Sequence, residues 1–149
     1  MILKPGIYGY HDLEVGDCLE TGWRDISPEL IDDFARVSGD YYEIHMNAEA
    51  ARSKGFSARV AHGLLVLSVI DGLKNNTAAR FDALASMGWD WRFKAPVLEN
   101  DRVMARFTIA SKKLTRSGRR GLATCDACAL NQRDEVVQVG QNTLIFDLA

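Results

Sequence analysis

The chain has no excess of either charge: 18 basic residues stand against 20 acidic ones, for a formal net charge of −2. Neutralising a phosphate backbone or lying on an anionic lipid surface takes a basic surplus, so nucleic acid and membrane are excluded as main partners. Cysteine is scarce and odd in number, at three, which is no disulfide framework and points to a reducing compartment. The three prolines, Pro5, Pro28 and Pro96, mark no linker. No repeat or low-complexity tract occurs. The longest apolar stretch, Gly63 to Ile70, falls well short of the ~20 residues that cross a bilayer. The first residues lack a basic segment followed by an apolar run, so no signal peptide is expected and the cytoplasm is the expected location. What remains is ordinary. The 149 residues are 47% apolar and 26% charged, enough for one domain (1–149) with a core that needs no staples.

The two halves differ in hydrophobic period. Cys18 to Asp25 reads as a short strand. Ser27 is a natural N-cap and Pro28 suits the first helical position, with Glu29 favoured by the helix dipole. Leu30, Ile31, Phe34 and Val37 then recur at helical spacing, and Gly39 is a natural stop. A short helix follows Asn47 and ends at Gly55. The segment from His62 to Leu73 is apolar on nearly every side, as an interior helix is. Residues 77–86 read as a loop with a helical turn. Beyond them the period becomes two. Trp89, Trp91 and Phe93 share one strand face. Val103–Ser111, Gly121–Asn131 and Val136–Phe146 follow as strands joined by short turns, an antiparallel meander. One interior helix and a long antiparallel sheet have a simple solution: an α+β domain whose curved sheet wraps the helix. The open sheet edge leads to an expected homodimer or higher homo-oligomer.

Two stretches carry chemistry. In Ser38-Gly39-Asp40-Tyr41-Tyr42-Glu43-Ile44-His45 a carboxylate and an imidazole stand five positions apart, just past a helix stop. On one helix they would not share a face. On a loop that doubles back after Gly39 they converge, and such a pair holds and polarises a water. The bland reading makes Asp40 a turn former. In Ala61-His62-Gly63-Leu64-Leu65 a glycine stands at the mouth of the interior helix. Its backbone N–H, at the positive end of the dipole, suits a carbonyl oxygen that becomes an enolate. The bland reading is close packing.

Together, Ser38-Gly39-Asp40-(x)4-His45, Ala61-His62-Gly63-Leu64-Leu65 and Phe93-Lys94-Ala95-Pro96-Val97 resemble the MaoC-type dehydratases, the (R)-specific enoyl-CoA hydratases of the hot-dog fold. The likeness covers most of the chain. It implies a catalytic Asp40 and His45, and Gly63 N–H on the thioester carbonyl. The reaction implied is addition of water to a trans-2-enoyl thioester, giving an (R)-3-hydroxyacyl thioester, or its reverse. It implies a substrate carried on coenzyme A or acyl carrier protein, no separate cofactor and no metal. Two departures stand out. Tyr42-Glu43 replaces the family's Asn-Pro. The family's helix serine, which supports the catalytic Asp, falls at or near Asp71, with Ser68 one turn earlier as a substitute hydroxyl. Tyr42, Ser68 and Asp71 are therefore the expected supporting residues.

Other features read as structure. Cys125 and Cys128 have no second pair to complete a zinc site, and three positions apart on a strand they face opposite ways. Trp89, Trp91 and Phe93 read as a core face, with one of them in reach of an acyl chain. His62 shapes the turn before Gly63, and His11 carries no signal. Lys112-Lys113 and Arg119-Arg120 flank a turn, and a minority reading makes them a dock for coenzyme A phosphates. Two other functions remain: a hot-dog thioesterase using Asp71, and a non-catalytic subunit that binds acyl thioesters.

Overall fold

The computed structural model describes residues 1–148. The strand expected over Cys18–Asp25 is two short ones, β2 (Cys18–Glu20) and β3 (Arg24–Asp25), preceded by β1 (Gly6–Tyr8). Helix α1 (Pro28–Ser38) begins as the sequence dictates: the Ser27 side chain accepts the N–H of Leu30, and Pro28 opens the first turn. It ends at Gly39, which adopts the left-handed conformation (φ 76°) and returns its N–H to the carbonyl of Ala35. Ile31 and Ala35 are the buried face. Val37, expected on that face, is 86% exposed. Six residues beyond Ile31 at ~100° each, it has rotated about 120° off the buried line.

Two short helices follow, α2 (Glu43–Met46) and α3 (Ala48–Ser53), and then α4 (Gly63–Asn75). Leu65, Val66, Ile70 and Lys74 of α4 are buried. The expectation of a helix covered all round is corrected here: Leu64 is 61% exposed, and Ser68 and Gly72 continue the open stripe at four-residue steps. The 77–86 segment is not a helical turn. It holds β4 (Ala79–Phe81), parallel to β1, and the start of β5 (Ala85–Phe93).

Strands β6 (Arg102–Leu114), β7 (Arg120–Asn131) and β8 (Val136–Asp147) form the expected meander. The main sheet runs β2-β6-β7-β8-β5, with β3 also paired to β6, and all its pairings are antiparallel. Alternate residues of β6 and β7, such as Phe107, Ile109, Ala123, Cys125 and Ala127, point inward with Leu144 and Phe146 of β8 to meet α4 in one core. Strand β5 closes one edge of the sheet.

The three cysteines are free. Cys125 lies in the core while Cys128 faces the outer side, and burial pushes the Cys125 thiol up to about 12. No described helix is long and apolar enough to cross a membrane. Within the chain, the basic hairpin around Arg119-Arg120 lies at the far end of β8 from the pocket described next. Arg120 pairs with Asp147, nine positions along β8 from Gln138 at the pocket, which at ~3.3 Å per residue is about 30 Å.

Candidate active site

The loop after α1 is folded by its own polar groups. Ser38 Oγ donates to the carbonyl of Phe34 (2.7 Å) and accepts the N–H of Asp40 (3.1 Å). Asp40 Oδ1 in turn accepts the N–H of Tyr42 (3.1 Å). With Gly39 reversing the chain, these bonds turn Asp40 back over α2, where His45 sits. The reversal is achieved without the proline seen in the resembling family. Glu43 points to solvent, paired with Lys54 at 3.4 Å.

His45 is buried, and a carbonyl fixes its tautomer. Its Nδ1 lies 2.6 Å from the oxygen of Val60, which only accepts, so Nδ1 carries the proton and Nε2 keeps its lone pair. Two backbone bonds hold Val60 and Ala61 in place: Val60 N–H to Ile44, and Ala61 N–H to Val97. Arg59 braces the arrangement from behind, donating to Asp32 (2.8 Å), Glu99 (3.0 Å) and the carbonyl of His45 (3.2 Å). Desolvation lowers the His45 pKa below the usual imidazole range. The Val60 bond opposes that shift, His62 adds to it, and Asp40 opposes it more weakly.

Asp40 Oδ2 stands 4.0 Å from His45 Nε2. That is too long for a direct hydrogen bond and suits one bridging water. Beside them, His62 stacks on His45, with ring centroids 3.9 Å apart and planes 26° from parallel. Its Nε2 donates to the Asp40 carbonyl at 2.9 Å. The role read for His62, shaping the turn, is the one it plays, and it also fixes the backbone of Asp40. Its Nδ1 is buried and finds no partner among the described residues.

Asp40, His45 and His62 each offer a donor atom within 4.8 Å of the others, a spacing open to a metal ion. The stacking argues for a different use. Lone pairs lie in their ring planes, and two nearly parallel planes 3.9 Å apart do not direct them onto one ion at ~2.0–2.1 Å.

The pair opens into a cavity of about 700 Å³ at the mouth of α4. Gly63 lines it, and no described side chain caps the N–H groups of this helix end. A Cβ at Gly63 would lie 2.3 Å from the ring of Phe93, so glycine is what lets that ring stand beside the helix mouth. Phe93 is 56% exposed and lines the cavity, while Trp89 and Trp91 pack on the core. Val60, Val66 and Val97 add apolar walls. The walls are apolar and the polar pair stands at one end, as in many small-molecule sites.

The supporting residues fare differently. Tyr42 serves through its backbone N–H, and its ring meets His45 edge-on at 6.0 Å. Ser68 and Asp71 need correction, since neither supports Asp40. At 1.5 Å per residue they lie roughly 7 and 12 Å along α4 from Gly63. Ser68 Oγ donates to the carbonyl of Leu64 at 2.8 Å, and Asp71 pairs with Lys74 at 2.8 Å. Sequence reasoning missed Gln138 altogether; a polar residue among the valines of Val136-Val137-Gln138-Val139 was its only signal.

A protein-family model described as MaoC like domain matches residues 13–128, most of the chain. This chain belongs to the MaoC-like dehydratase family. Among relatives, the MaoC-like domain is 33% identical over 104 residues to Protein MaoC of Klebsiella aerogenes, covering 69% of this chain but only 31% of that longer protein. It is 30% identical over 141 residues to the 3-hydroxybutyryl-CoA dehydratase of Methylorubrum extorquens, covering 95% of this chain and 85% of the relative. In fold it matches a Mycobacterium tuberculosis protein with a double hot-dog fold at a TM-score of 0.81 and 18% identity, over 93% of this chain and 44% of that one. The architecture is the hot-dog fold, a curved antiparallel sheet around a long helix.

Proposed function

We propose that this MaoC-like domain adds water across the double bond of a trans-2-enoyl thioester to give an (R)-3-hydroxyacyl thioester, and catalyses the reverse dehydration. The observation that carries the reading is the 4.0 Å gap between Asp40 Oδ2 and His45 Nε2 at the uncapped mouth of α4. A water in that gap donates to both acceptors. Neutral His45 takes one proton through Nε2 as the water oxygen adds to C3. Negative charge gathers on the thioester oxygen, where the Gly63 N–H stabilises it. The proton held by the pair then passes to C2, and both groups return to their starting state. Tyr42 supports Asp40 through its N–H. Relatives are named for either carrier, 3-hydroxybutyryl-CoA in Methylorubrum and acyl carrier protein in Arabidopsis thaliana, and coenzyme A is the carrier proposed for the test. Coenzyme A then enters only as part of the substrate, with no further cofactor. The exposed Leu64, Met87 and Phe93, on α4 and the edge strand β5, support a homodimer closed over this face. The cytoplasm is the proposed location.

The hydrolytic alternative needs a free acid on the central helix, and Asp71 is tied to Lys74 instead. Crotonyl-CoA distinguishes the readings. Hydration removes the enoyl absorbance without releasing a thiol. Free thiol detected by a disulfide reagent would instead make this a thioesterase. A raised melting temperature with neither change would leave only a binding subunit.

A further inference from the structure

The mechanism above does not use every buried polar residue of the cavity. Gln138, the third residue of β8, lines the cavity and is 2% exposed. A buried amide must have its hydrogen-bonding groups met. Here Nε2 donates to the carbonyl oxygen of Gly63 at 2.9 Å, and Oε1 accepts from the indole Nε1 of Trp91 at 2.7 Å. Neither partner can exchange roles, because a carbonyl only accepts and an indole N–H only donates. Flipping the amide would break both bonds at once. Trp91 on β5 and Gln138 on β8 thus form a strap that ends on the first residue of α4.

We infer that Gln138 is a positioning residue for the thioester carbonyl, acting through Gly63. This rests on the hydratase reading. The peptide between His62 and Gly63 carries the N–H assigned to the developing oxyanion. That peptide is anchored from both sides. His62 is tied to the carbonyl of Asp40 on one flank, and Gly63 is tied to Gln138 on the other. An oxyanion donor works only where it is already aimed, and a misplacement on the order of 1 Å costs ~10²-fold in rate. Gln138 keeps the donor aimed while touching no reacting atom.

The test compares the parent with Gln138→Leu and Gln138→Glu in crotonyl-CoA hydration, from about pH 6 to about pH 9. Leucine removes the strap. It lowers kcat by about 10- to 100-fold and leaves KM within about threefold. Glutamate above its pKa accepts from Trp91 but repels the Gly63 carbonyl, so at high pH it is as slow as leucine. As pH falls the buried carboxyl takes up a proton. Its O–H then donates to Gly63 again, and kcat climbs back toward the parent, a recovery leucine does not show. The inference is overturned if Gln138→Leu keeps the parent's kcat, or if the two variants are equally slow at every pH. The backbone amide resonance of Gly63, read by NMR without substrate, gives a second measure. It shifts in Gln138→Leu and returns in Gln138→Glu at low pH. An unmoved resonance overturns the positioning role. Should the parent fail to hydrate any 2-enoyl thioester, the hydratase reading falls, and this resonance still decides the role of Gln138.

Discussion

The two ends of helix α4 carry polar clusters of opposite character. At the C-terminal end Lys74 is 4% exposed, yet its ammonium meets Asp71 at 2.8 Å and Asn142 Oδ1 at 3.0 Å, and stands over the rings of Trp89 and Phe107. Asn142 passes the network on, donating to Ser86 Oγ (2.8 Å) and the carbonyl of Gly88 (2.9 Å), where β5 bulges. At the N-terminal end the groups are held just as firmly from behind, but their working faces are unmet. His45 Nε2 and Asp40 Oδ2 stop short of each other, and no described side chain caps the helix N–H groups. A closed network fixes a fold, whereas groups held in place with capacity left over are prepared for a ligand. By that contrast the helix has one structural end and one chemical end.

The contrast is broken or sharpened by substitutions at each end. His45→Gln removes the lone pair at Nε2 and should lower kcat by ~10²–10⁴. Its melting temperature should stay near the parent's, and a loss of fold together with rate would remove the distinction. Lys74→Met leaves Asn142 and Asp71 without their cation. It should cost about 1–3 kcal/mol in urea unfolding while the folded fraction turns over within about twofold of the parent. A rate loss without a stability loss would make that end chemical as well.

The pH dependence sharpens the N-terminal end. Because burial lowers the His45 pKa, the imidazole stays neutral below its ordinary ~6.5. The acid limb of kcat/KM should therefore fall below that value, and a limb at or above it would contradict the assignment of His45 as base. The same shift makes the contribution of His45 to stability complete above ~6.5, where neither state binds the proton. It is lost as pH falls from there through the folded value, since the unfolded chain is protonated first. Ser68→Ala should change stability by no more than about 0.5 kcal/mol and leave the rate unaltered.

Much of this could be read from residue types alone. Ser27-Pro28 and Gly39 announced the ends of α1, because capping and left-handed geometry are local properties. The alternation of β6 to β8 was equally plain. Gly39, Asp40 and His45 marked a loop that doubles back, and the structure brings the side chains of Asp40 and His45 to one cavity. Long-range facts stayed hidden. Nothing near Lys74 in sequence foretells Asn142, 68 positions on, and a buried lysine looks like any helix lysine until its partner is known. Gln138 meets Gly63 from 75 positions away. Ser68 and Asp71 were misjudged because a position aligned along a helix says nothing of the 1.5 Å rise that carries it away from the loop. Val37 and Leu64 followed a helical period, yet period alone does not tell which side another element covers.

The account turns on Asp40 and His45 holding one water at the mouth of α4. Its most direct test is the initial rate of crotonyl-CoA hydration by Asp40→Asn, measured beside the parent with both shown to be folded. The amide keeps the size of the side chain and removes the carboxylate, so turnover should fall by ~10²–10⁴ with the melting temperature preserved. Hydration by Asp40→Asn at the parent's rate would contradict it.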